Sequence, residues 1–191
     1  MQLSRPLVLA SNSPRRKEIM HHAGYEFTVE VKPTDESFPA DMPVEEVPVF
    51  LAKNKAECFR DTLQNEIVLC ADTVVIIDNQ IINKPADADD AKRMLRLLSG
   101  SEHRVITGIC VMTKQETITL ADTTFVTFKE LSEWEIEYYI QKCKPFDKAG
   151  SYGVQDFIGM VGIPKINGSF YTVMGLPIHL VYEVLEKYLL Y

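Results

Sequence analysis

The sequence predicts an α/β protein in which helices pack on a mixed, largely antiparallel sheet. Apolar segments typical of strands outnumber the intervals that helices fill. Several neighbouring strand segments are joined by short polar turns, as in hairpins, which connect antiparallel strands. A purely parallel sheet would need a long crossover between consecutive strands, so this sequence favours the mixed arrangement.

The first predicted strand leads directly into the first helix. Residues 7–10 are a short apolar run that ends at a serine-rich turn. Ser13 suits the N-cap of the helix, Pro14 suits its first position, and Gly24 suits its C-terminal end. The elements predicted next are a strand over residues 25–31, a polar loop over 32–43 and a helix that begins near Pro48.

A long apolar strand is predicted in the middle of the chain. It runs over residues 67–77, and a turn at residues 78–80 sends the chain back through residues 81–82. Acidic residues in the first turn and Gly100 after the end predict a helix over residues 87–98. Two further strands, separated by a polar turn, are predicted over residues 105–112 and 117–128.

The C-terminal third carries one strong helix signal and one turn signal. Ser132 and Glu135 form a capping box for a helix that reaches about Lys142. Residues 145–159 are rich in glycine and polar residues and show little periodicity. The remaining predictions are a hairpin over residues 163–173 with its turn at Asn167-Gly168, and a final helix from Pro177 towards Tyr188.

Composition and charge exclude several classes of protein. The 191 residues are 46% hydrophobic and 25% charged, the balance of one globular domain or of two small lobes that share a core. The 20 Lys and Arg against 27 Asp and Glu give a net charge of −7. This charge disfavours nucleic acid and anionic membranes as partners, although a local basic cluster could bind a small anion.

The cysteines and the N-terminal sequence favour a reducing cytoplasm. The four cysteines are far apart and have neither zinc-site nor redox spacing. No signal-peptide pattern opens the chain, and no apolar segment is long enough to cross a bilayer. We therefore expect a cytoplasmic protein.

Two arginines in the first turn of the first helix indicate an anion site. Arg15 and Arg16 lie where the helix dipole is positive, which is unfavourable for cations unless an anion is bound. The hydroxyls of Ser11 and Ser13 and the free backbone N–H groups would complete a phosphate site. Two solvated arginines are the alternative interpretation, and no G-x-x-x-x-G-K-[ST] loop is present.

Two charged residues lie in apolar surroundings. Asp72 interrupts the long apolar strand, where an ionised carboxylate must be paired, hydrogen-bonded or bound to metal. A structural Asp at a bulge is the alternative, but a strand interior favours a catalytic or metal-binding carboxylate. Lys55 shares an apolar helix face with Leu51 and Phe59, although its amine could reach the surface. Two further candidates, read alone, are ordinary solvated residues: Glu36 and Lys84.

The segment over residues 147–155 combines two glycines with an amide side chain. The glycines would let the backbone approach a ligand closely, and Gln155 could recognise a base edge with one donor and one acceptor. An ordinary surface loop is the alternative. The histidines form neither an HExxH motif nor a triad with a G-x-S-x-G serine, which excludes zinc proteases and esterases.

Several motifs follow one another in a fixed order along nearly the whole chain. They are Leu9-Ala10-Ser11-Asn12-Ser13-Pro14-Arg15-Arg16, Ala71-Asp72-Thr73-Val74-Val75, Lys84-Pro85, Leu98-Ser99-Gly100, Asp147-Lys148-Ala149-Gly150 and Gly175-Leu176-Pro177. At this spacing the chain resembles the Maf family of nucleotide pyrophosphatases. The resemblance implies a fold related to the inosine triphosphate pyrophosphatases, with one Maf-like domain over residues 1–191, two lobes around a cleft, and a homodimer.

The resemblance also implies an activity and the residues that perform it. The expected reaction is hydrolysis of a nucleoside triphosphate to the monophosphate and pyrophosphate with Mg²⁺ or Mn²⁺. Asp72 is the expected proton acceptor, and it is expected to hold the metal together with Glu36. The residues expected around the triphosphate are Ser11, Arg15, Arg16, Lys55 and Lys84.

The implied base preference is for pyrimidines. Arg15, Thr73 and Gln155 match the dTTP/UTP pyrophosphatase branch of the family. The chain departs from the family pattern at Asn83 and after Gln155, where Asp156-Phe157 replaces the usual glycine.

Two other functions stay open at this point. The family has been linked to inhibition of septum formation, so one alternative is a non-catalytic regulator that binds nucleotide. The retained catalytic carboxylate and lysines argue against that alternative. The other is a pyrophosphatase for 7-methyl-GTP or for non-canonical purine triphosphates, which a substrate panel would separate.

Overall fold

The computed structural model describes residues 1–191 and contains seven strands and seven α-helices. The strands are β1 (Leu7–Leu9), β2 (Thr28–Val29), β3 (Ile67–Ile77), β4 (Gln80–Ile82), β5 (Glu102–Met112), β6 (Thr117–Thr127) and β7 (Lys165–Asn167). The helices are α1 (Pro14–His22), α2 (Val47–Glu57), α3 (Ala88–Leu98), α4 (Glu133–Cys143), α5 (Phe157–Gly162), α6 (Phe170–Met174) and α7 (Ile178–Leu185). Two short 3₁₀ segments are Ala149–Ser151 and Glu186–Tyr188.

The strands form one mixed sheet in the order β2-β1-β3-β5-β6-β7, and β4 pairs with β3 outside this path. β1 is parallel to both of its neighbours, so Val8 lies opposite Thr28 on β2 and Val68 on β3. β4 is antiparallel to β3, and β7 is antiparallel to β6. A tight turn joins β5 to β6, where the Thr113 N–H donates to the Glu116 carbonyl at 2.9 Å. The α/β class with a mixed sheet, predicted from the sequence, is confirmed.

The chain folds into two compact units that are built from separate segments. The first unit comprises Met1–Asp72, Thr107–Asp122 and Gly175–Tyr191. The second unit comprises Thr73–Ile106 and Thr123–Met174. The long strands β3, β5 and β6 therefore contribute residues to both units.

In the first unit, helix α2 packs directly against strand β5. A Cβ atom on Gly108 would lie 2.5 Å from backbone atoms of Pro48 and Val49, so only glycine permits this approach. The apolar core beside this contact consists of Val8, Ala10, Ala52, Ala56, Phe59, Leu63, Val68, Cys70, Cys110 and Met112.

The two ends of the chain pair with each other within the first unit. The Ser4 N–H donates to the Tyr188 carbonyl at 2.8 Å, and the Leu190 N–H donates to the Gln2 carbonyl at 3.0 Å. The first unit is therefore completed by residues from both ends of the chain.

In the second unit, helices α3 and α4 supply much of the core. The predicted capping box of α4 is present: the Ser132 hydroxyl accepts from the Glu135 N–H at 3.3 Å, and the Glu135 carboxylate accepts from the Ser132 N–H at 2.8 Å. The buried face of α3 consists of Ala91, Met94, Leu95 and Leu98. None of the helices in this structure has the length and apolar character needed to cross a membrane.

The hairpin predicted over residues 163–173 is wrong. Lys165–Asn167 forms strand β7, but it pairs with β6, where Asn167 lies opposite Phe125. The Thr124 hydroxyl accepts from the Ser169 N–H at 2.9 Å and donates to the Ser169 carbonyl at 3.2 Å, which directs the chain into helix α6. The hairpin signalled by Asn167-Gly168 does not form, because strand β6 is a longer pairing partner for residues 165–167 than residues 168–173 would be.

Three other elements differ from the predictions, and the first is β5, which begins at Glu102 rather than at residue 105. The strand predicted over residues 25–31 is only Thr28–Val29, because its partner β1 offers only three residues before the chain turns into α1. Helix α5 lies at the end of the segment that showed no periodicity, and it was not predicted. A helix of 6 residues is too short to produce a periodic apolar pattern.

Candidate functional site

Helix α1 begins where the sequence predicts. Ser13 is the N-cap, its hydroxyl accepts from the Arg16 N–H at 3.5 Å, and Pro14 occupies the first helical position. The Ser11 hydroxyl accepts from the Ser13 N–H at 3.2 Å, which orders the turn before the helix. The first turn holds no acidic residue, so the positive end of the helix and the two arginines coincide.

The Arg16 guanidinium is fixed from both sides. Its Nη1 donates to the Ser11 Oγ at 3.3 Å, and its Nε donates to the Gly175 carbonyl at 2.8 Å. Burial lowers the pKa of Arg16, and the positive charge of Arg15 acts in the same direction, whereas the Asp72 and Glu36 carboxylates oppose this shift. A cation held at a helix N-terminus in this way is positioned to bind an anion.

Lys55 links the two carboxylates that the resemblance assigns to the metal. Its Nζ lies 2.6 Å from the Asp72 Oδ1 and 2.9 Å from the Glu36 Oε1. The side chains of Lys55 and Asp72 are only 18% and 15% exposed, whereas that of Glu36 is 61% exposed. Lys55 therefore does not extend to the surface, and Asp72 is paired as its apolar surroundings require.

The elements around this cluster explain its geometry. The five strand residues before Asp72 are buried, so the carboxylate emerges where β3 becomes partly exposed. Lys55 lies on the face of α2 that also buries Leu51 and Ala52, which aims its amine inward. The loop that carries Glu36 is shaped by Asp35, whose carboxylate accepts from the Ser37 N–H at 2.9 Å and from its hydroxyl at 2.7 Å. These hydrogen bonds lower the pKa of Asp35.

The donor set of this cluster suits a hard divalent cation. Two carboxylates point at one position, and carboxylate oxygens are the ligands that Mg²⁺ and Mn²⁺ prefer. The structure contains no group of three or more His, Cys, Asp and Glu side chains that could hold a metal. Magnesium sites of this kind take one or two protein carboxylates and fill the remaining positions with substrate phosphates and water.

The other predicted site residues belong to the second unit. Thr73 directly follows Asp72 on β3 and is partly exposed. Lys84 is exposed in the segment between β4 and α3. Gln155 lies in a turn before α5, and its Oε1 atom is buried with no hydrogen-bond partner. Buried acceptors without a partner are rare in folded proteins, so this one is a candidate ligand contact.

The structure thus brings five of the predicted residues of the first unit into two contacting groups and adds one residue that the sequence did not indicate. Ser11 and Arg16 are in direct contact, as are Glu36, Lys55 and Asp72. The missed group is the Gly175 carbonyl, which accepts from Arg16. Its motif was part of the family resemblance, but a backbone carbonyl has no side chain that could reveal such a contact in a sequence.

Comparison with protein families identifies the family to which this chain belongs. A family model described as "Maf-like protein" matches residues 6–188. The chain belongs to the Maf family. The resemblance inferred from the motifs is therefore confirmed.

Named relatives within the Maf family cover almost the whole chain. The chain is 45% identical over 186 residues to the dTTP/UTP pyrophosphatase of Porphyromonas gingivalis, which covers 95% of this chain and 94% of that protein. It is 45% identical over 183 residues to the dTTP/UTP pyrophosphatase of Phocaeicola vulgatus, with 95% of each chain covered. The solved structure of the Staphylococcus aureus Ham1 protein has a TM-score of 0.49 and 14% identity, covering 65% of this chain and 72% of that one.

Proposed function

We propose that this Maf-family protein is a nucleoside triphosphate pyrophosphatase that hydrolyses dTTP and UTP to the monophosphate and pyrophosphate. The observation that carries the proposal is the convergence of Asp72 and Glu36 on the Lys55 amine, with the Arg16 guanidinium held nearby in the same unit. The names of the relatives that match 95% of the chain support this reaction and these substrates.

Asp72 is the proton acceptor in the proposed reaction. A water molecule attacks the α-phosphorus, and the Asp72 carboxylate takes up the proton that the water loses. The bond between the α-phosphorus and the bridging oxygen breaks, so pyrophosphate departs with the electron pair. The Lys55 amine, at 2.6 Å, fixes the orientation of the carboxylate.

The cationic side chains bind the triphosphate and stabilise the charge that develops on pyrophosphate. Arg16 is held in place by Ser11 and by the Gly175 carbonyl, so it loses little conformational freedom when phosphate binds. The Ser11 hydroxyl lies in the same turn. The other groups that we assign to the triphosphate are Arg15, Lys55 and Lys84.

Glu36 and Asp72 would hold the divalent cation, Mg²⁺ or Mn²⁺. When bound, the cation neutralises part of the triphosphate charge and polarises a phosphoryl oxygen. Both carboxylates are paired with the Lys55 amine in this structure, so this lysine holds them at one position. Glu36 is the more exposed of the two and lies in a loop, so it has more freedom to adjust its carboxylate.

Arg15, Thr73 and Gln155 are the proposed determinants of the pyrimidine preference. The unpartnered Oε1 of Gln155 is an acceptor, and the ring N3–H of thymine or uracil is a donor that cytosine lacks. We assign the Gln155 Oε1 as the acceptor of this donor in the nucleotide complex. Such a contact would favour thymine and uracil over cytosine, because the unmatched acceptor would stay buried and unpaired.

The test is a substrate panel with the purified protein, Mg²⁺ or Mn²⁺, and canonical and modified nucleoside triphosphates. We expect pyrophosphate and TMP or UMP from dTTP and UTP. Turnover confined to methylated or purine triphosphates would contradict the pyrimidine assignment. Binding without turnover on any nucleotide would contradict the enzymatic proposal and favour the non-catalytic regulator.

Asp72→Asn tests the catalytic assignment. We expect nucleotide binding to persist while kcat falls by about a thousandfold, which is the range for loss of a general base. Asp61→Asn is the matched control because Asp61 is an exposed carboxylate of the same unit. Near-normal turnover by Asp72→Asn would contradict the role of Asp72 as proton acceptor.

We extend the proposal to the location and assembly of the protein, as a cytoplasmic homodimer. All four cysteines are free thiols, the state that a reducing compartment maintains. The dimer is the assembly that the family resemblance implies. Light scattering on the purified protein measures it, and a monomer across the micromolar concentration range would contradict it.

A further inference from the structure

Asp156 precedes helix α5 but does not cap it. It occupies the N-cap position with an extended backbone, and its side chain makes no hydrogen bond to the N–H groups of the first turn. Asp is among the residues that cap helices best. Its carboxylate is therefore directed to other partners, one on helix α4 and one in the segment that leads to Gln155.

The first partner is the buried hydroxyl of Tyr139 on α4. This hydroxyl donates to the Asp156 Oδ2 at 2.9 Å and accepts from the Gly153 N–H at 3.0 Å. The Tyr139 side chain is fully buried, and burial raises its pKa, with the Asp156 carboxylate acting in the same direction. Tyr139 therefore stays protonated and links the backbone of the loop to the carboxylate.

The second partner is Lys148. Its Nζ lies 3.7 Å from the Asp156 Oδ2 and 3.0 Å from the Asp147 Oδ1. Lys148 and Asp156 are 13% and 19% exposed, whereas Asp147 is 53% exposed. The pair with Asp156 is thus the more shielded of the two, and shielded pairs interact more strongly than exposed ones.

These contacts hold one turn. The Asp156 N–H donates to the Gly153 carbonyl at 3.0 Å, which closes a four-residue turn with Gln155 at its third position. A Cβ atom on Gly153 would lie 2.5 Å from the Asp156 Oδ2, so the carboxylate lies directly against this backbone. Just before the turn, Ser151 has a left-handed backbone with φ of 62°, which persists only where the surroundings hold it.

We propose that Asp156 is a positioning residue for nucleobase selection. Together with Tyr139 and Lys148 it fixes the turn from Gly153 to Asp156, and this turn sets the direction of the Gln155 side chain. The inference rests on the proposed function, because it takes Gln155 as the residue that recognises the base. It adds to that function the residue that holds Gln155 in place.

The first arm of the test is kinetic. We expect Asp156→Asn to raise KM for dTTP about tenfold with kcat changed less than twofold, and to reduce the preference for dTTP over dCTP by about the same factor. Asp147→Asn is the matched control, since Asp147 pairs with the same lysine from a more exposed position. This control is expected to keep KM, kcat and the base preference within about twofold of wild type.

Tyr139→Phe provides a second variant, because it removes the same link from the other side. We expect it to reproduce the loss of base preference, and the double variant Tyr139→Phe with Asp156→Asn to be no worse than the more affected single variant. Additive losses in the double variant would overturn the proposal that the two residues act together.

The second arm does not depend on catalysis. Hydrogen exchange of the Gly153 and Asp156 amides reports on the turn and its anchor, since the Gly153 N–H donates to the Tyr139 hydroxyl and the Asp156 N–H donates to the Gly153 carbonyl. We expect both amides to lose protection in Asp156→Asn and to keep it in Asp147→Asn. Unchanged protection in Asp156→Asn would overturn the proposal, and so would lost protection with an unchanged base preference. Absence of dTTP and UTP hydrolysis by the wild-type protein would instead refute the proposed function, and the exchange measurement would still decide whether Asp156 holds the turn.

Discussion

Lys55 is the residue that connects the two carboxylates of this site. A lysine on the apolar face of a helix could have reached the surface, yet its amine ends between two carboxylates. The position of Lys55 and that of Asp72 were both unusual in the sequence, because a charge among apolar residues needs a partner. Glu36 gave no such signal, since an acidic residue in a polar loop is ordinary, and only the family resemblance marked it.

Replacing Lys55 with a neutral residue would leave the Glu36 and Asp72 carboxylates to repel each other. We expect Lys55→Met to lower the free energy of unfolding by about 2 kcal/mol, less than for a fully buried pair because Glu36 is largely solvated. Chemical denaturation at neutral pH measures this loss. Lys53→Met, an exposed lysine of the same helix, is the control and should change stability by less than about 0.5 kcal/mol.

The double variant Lys55→Met with Asp72→Asn separates repulsion from lost packing. We expect it to regain most of the stability that Lys55→Met loses, because the unpaired buried charge has been removed. A double variant that is less stable than Lys55→Met would contradict this electrostatic explanation.

His103 is a second residue with a testable role, because it makes folding stability depend on pH. It is buried, its Nε2 lies 2.7 Å from the Tyr152 hydroxyl, and burial lowers its pKa to about 4. Below the ordinary histidine pKa of 6.5 the unfolded chain binds a proton that the folded chain does not, so folding stability falls as pH decreases. We expect His103 to account for a loss of about 3 kcal/mol between pH 6.5 and pH 4.

Denaturation curves across this pH range measure the loss. His103→Gln should flatten the pH dependence, whereas His22→Gln, at an exposed histidine, should leave it unchanged. A His103→Gln protein with the same acid sensitivity as wild type would show that other groups cause the loss.

At the scale of elements, local sequence signals predicted the ends of helices correctly, whereas contacts between distant segments could not be predicted. Ser13 and Ser132 both cap helices as predicted, because a cap depends on residues three positions away. The turn signal at Asn167-Gly168 failed because β6, distant in sequence, competes for the same strand. The contact between α2 and β5 was likewise hidden, since nothing near Gly108 in the sequence indicates which helix packs on it.

That contact gives a test of how α2 positions Lys55. We expect Gly108→Ala to cost about 2 kcal/mol of stability or more and to reduce pyrophosphatase activity, because a Cβ atom would press on the α2 backbone at Pro48. Thermal denaturation and the dTTP assay measure both effects. Thr123→Ala, at an exposed position of β6, is the control, and an unchanged activity in Gly108→Ala would show that Lys55 tolerates a displaced helix.

At the scale of the whole molecule, the two units differ in how the chain builds them. The second unit is complete once residue 174 has been added, whereas the first needs Gly175–Tyr191 as well as the N-terminal segment. Sequence periodicity identified most of the elements but could not show this division. The division depends on which segments, separated by more than a hundred residues, pack on one another.

The Gly175 carbonyl that holds Arg16 sets an order of events during synthesis on the ribosome. Domains fold as their residues emerge, and Arg16 emerges long before Gly175. Until the C-terminal segment has been translated, the nascent chain lacks the acceptor that fixes this guanidinium. We therefore expect nascent chains that still lack Gly175 to present an incomplete form of the proposed phosphate site, and to bind nucleotide fully only after the final segment has joined the N-terminal one.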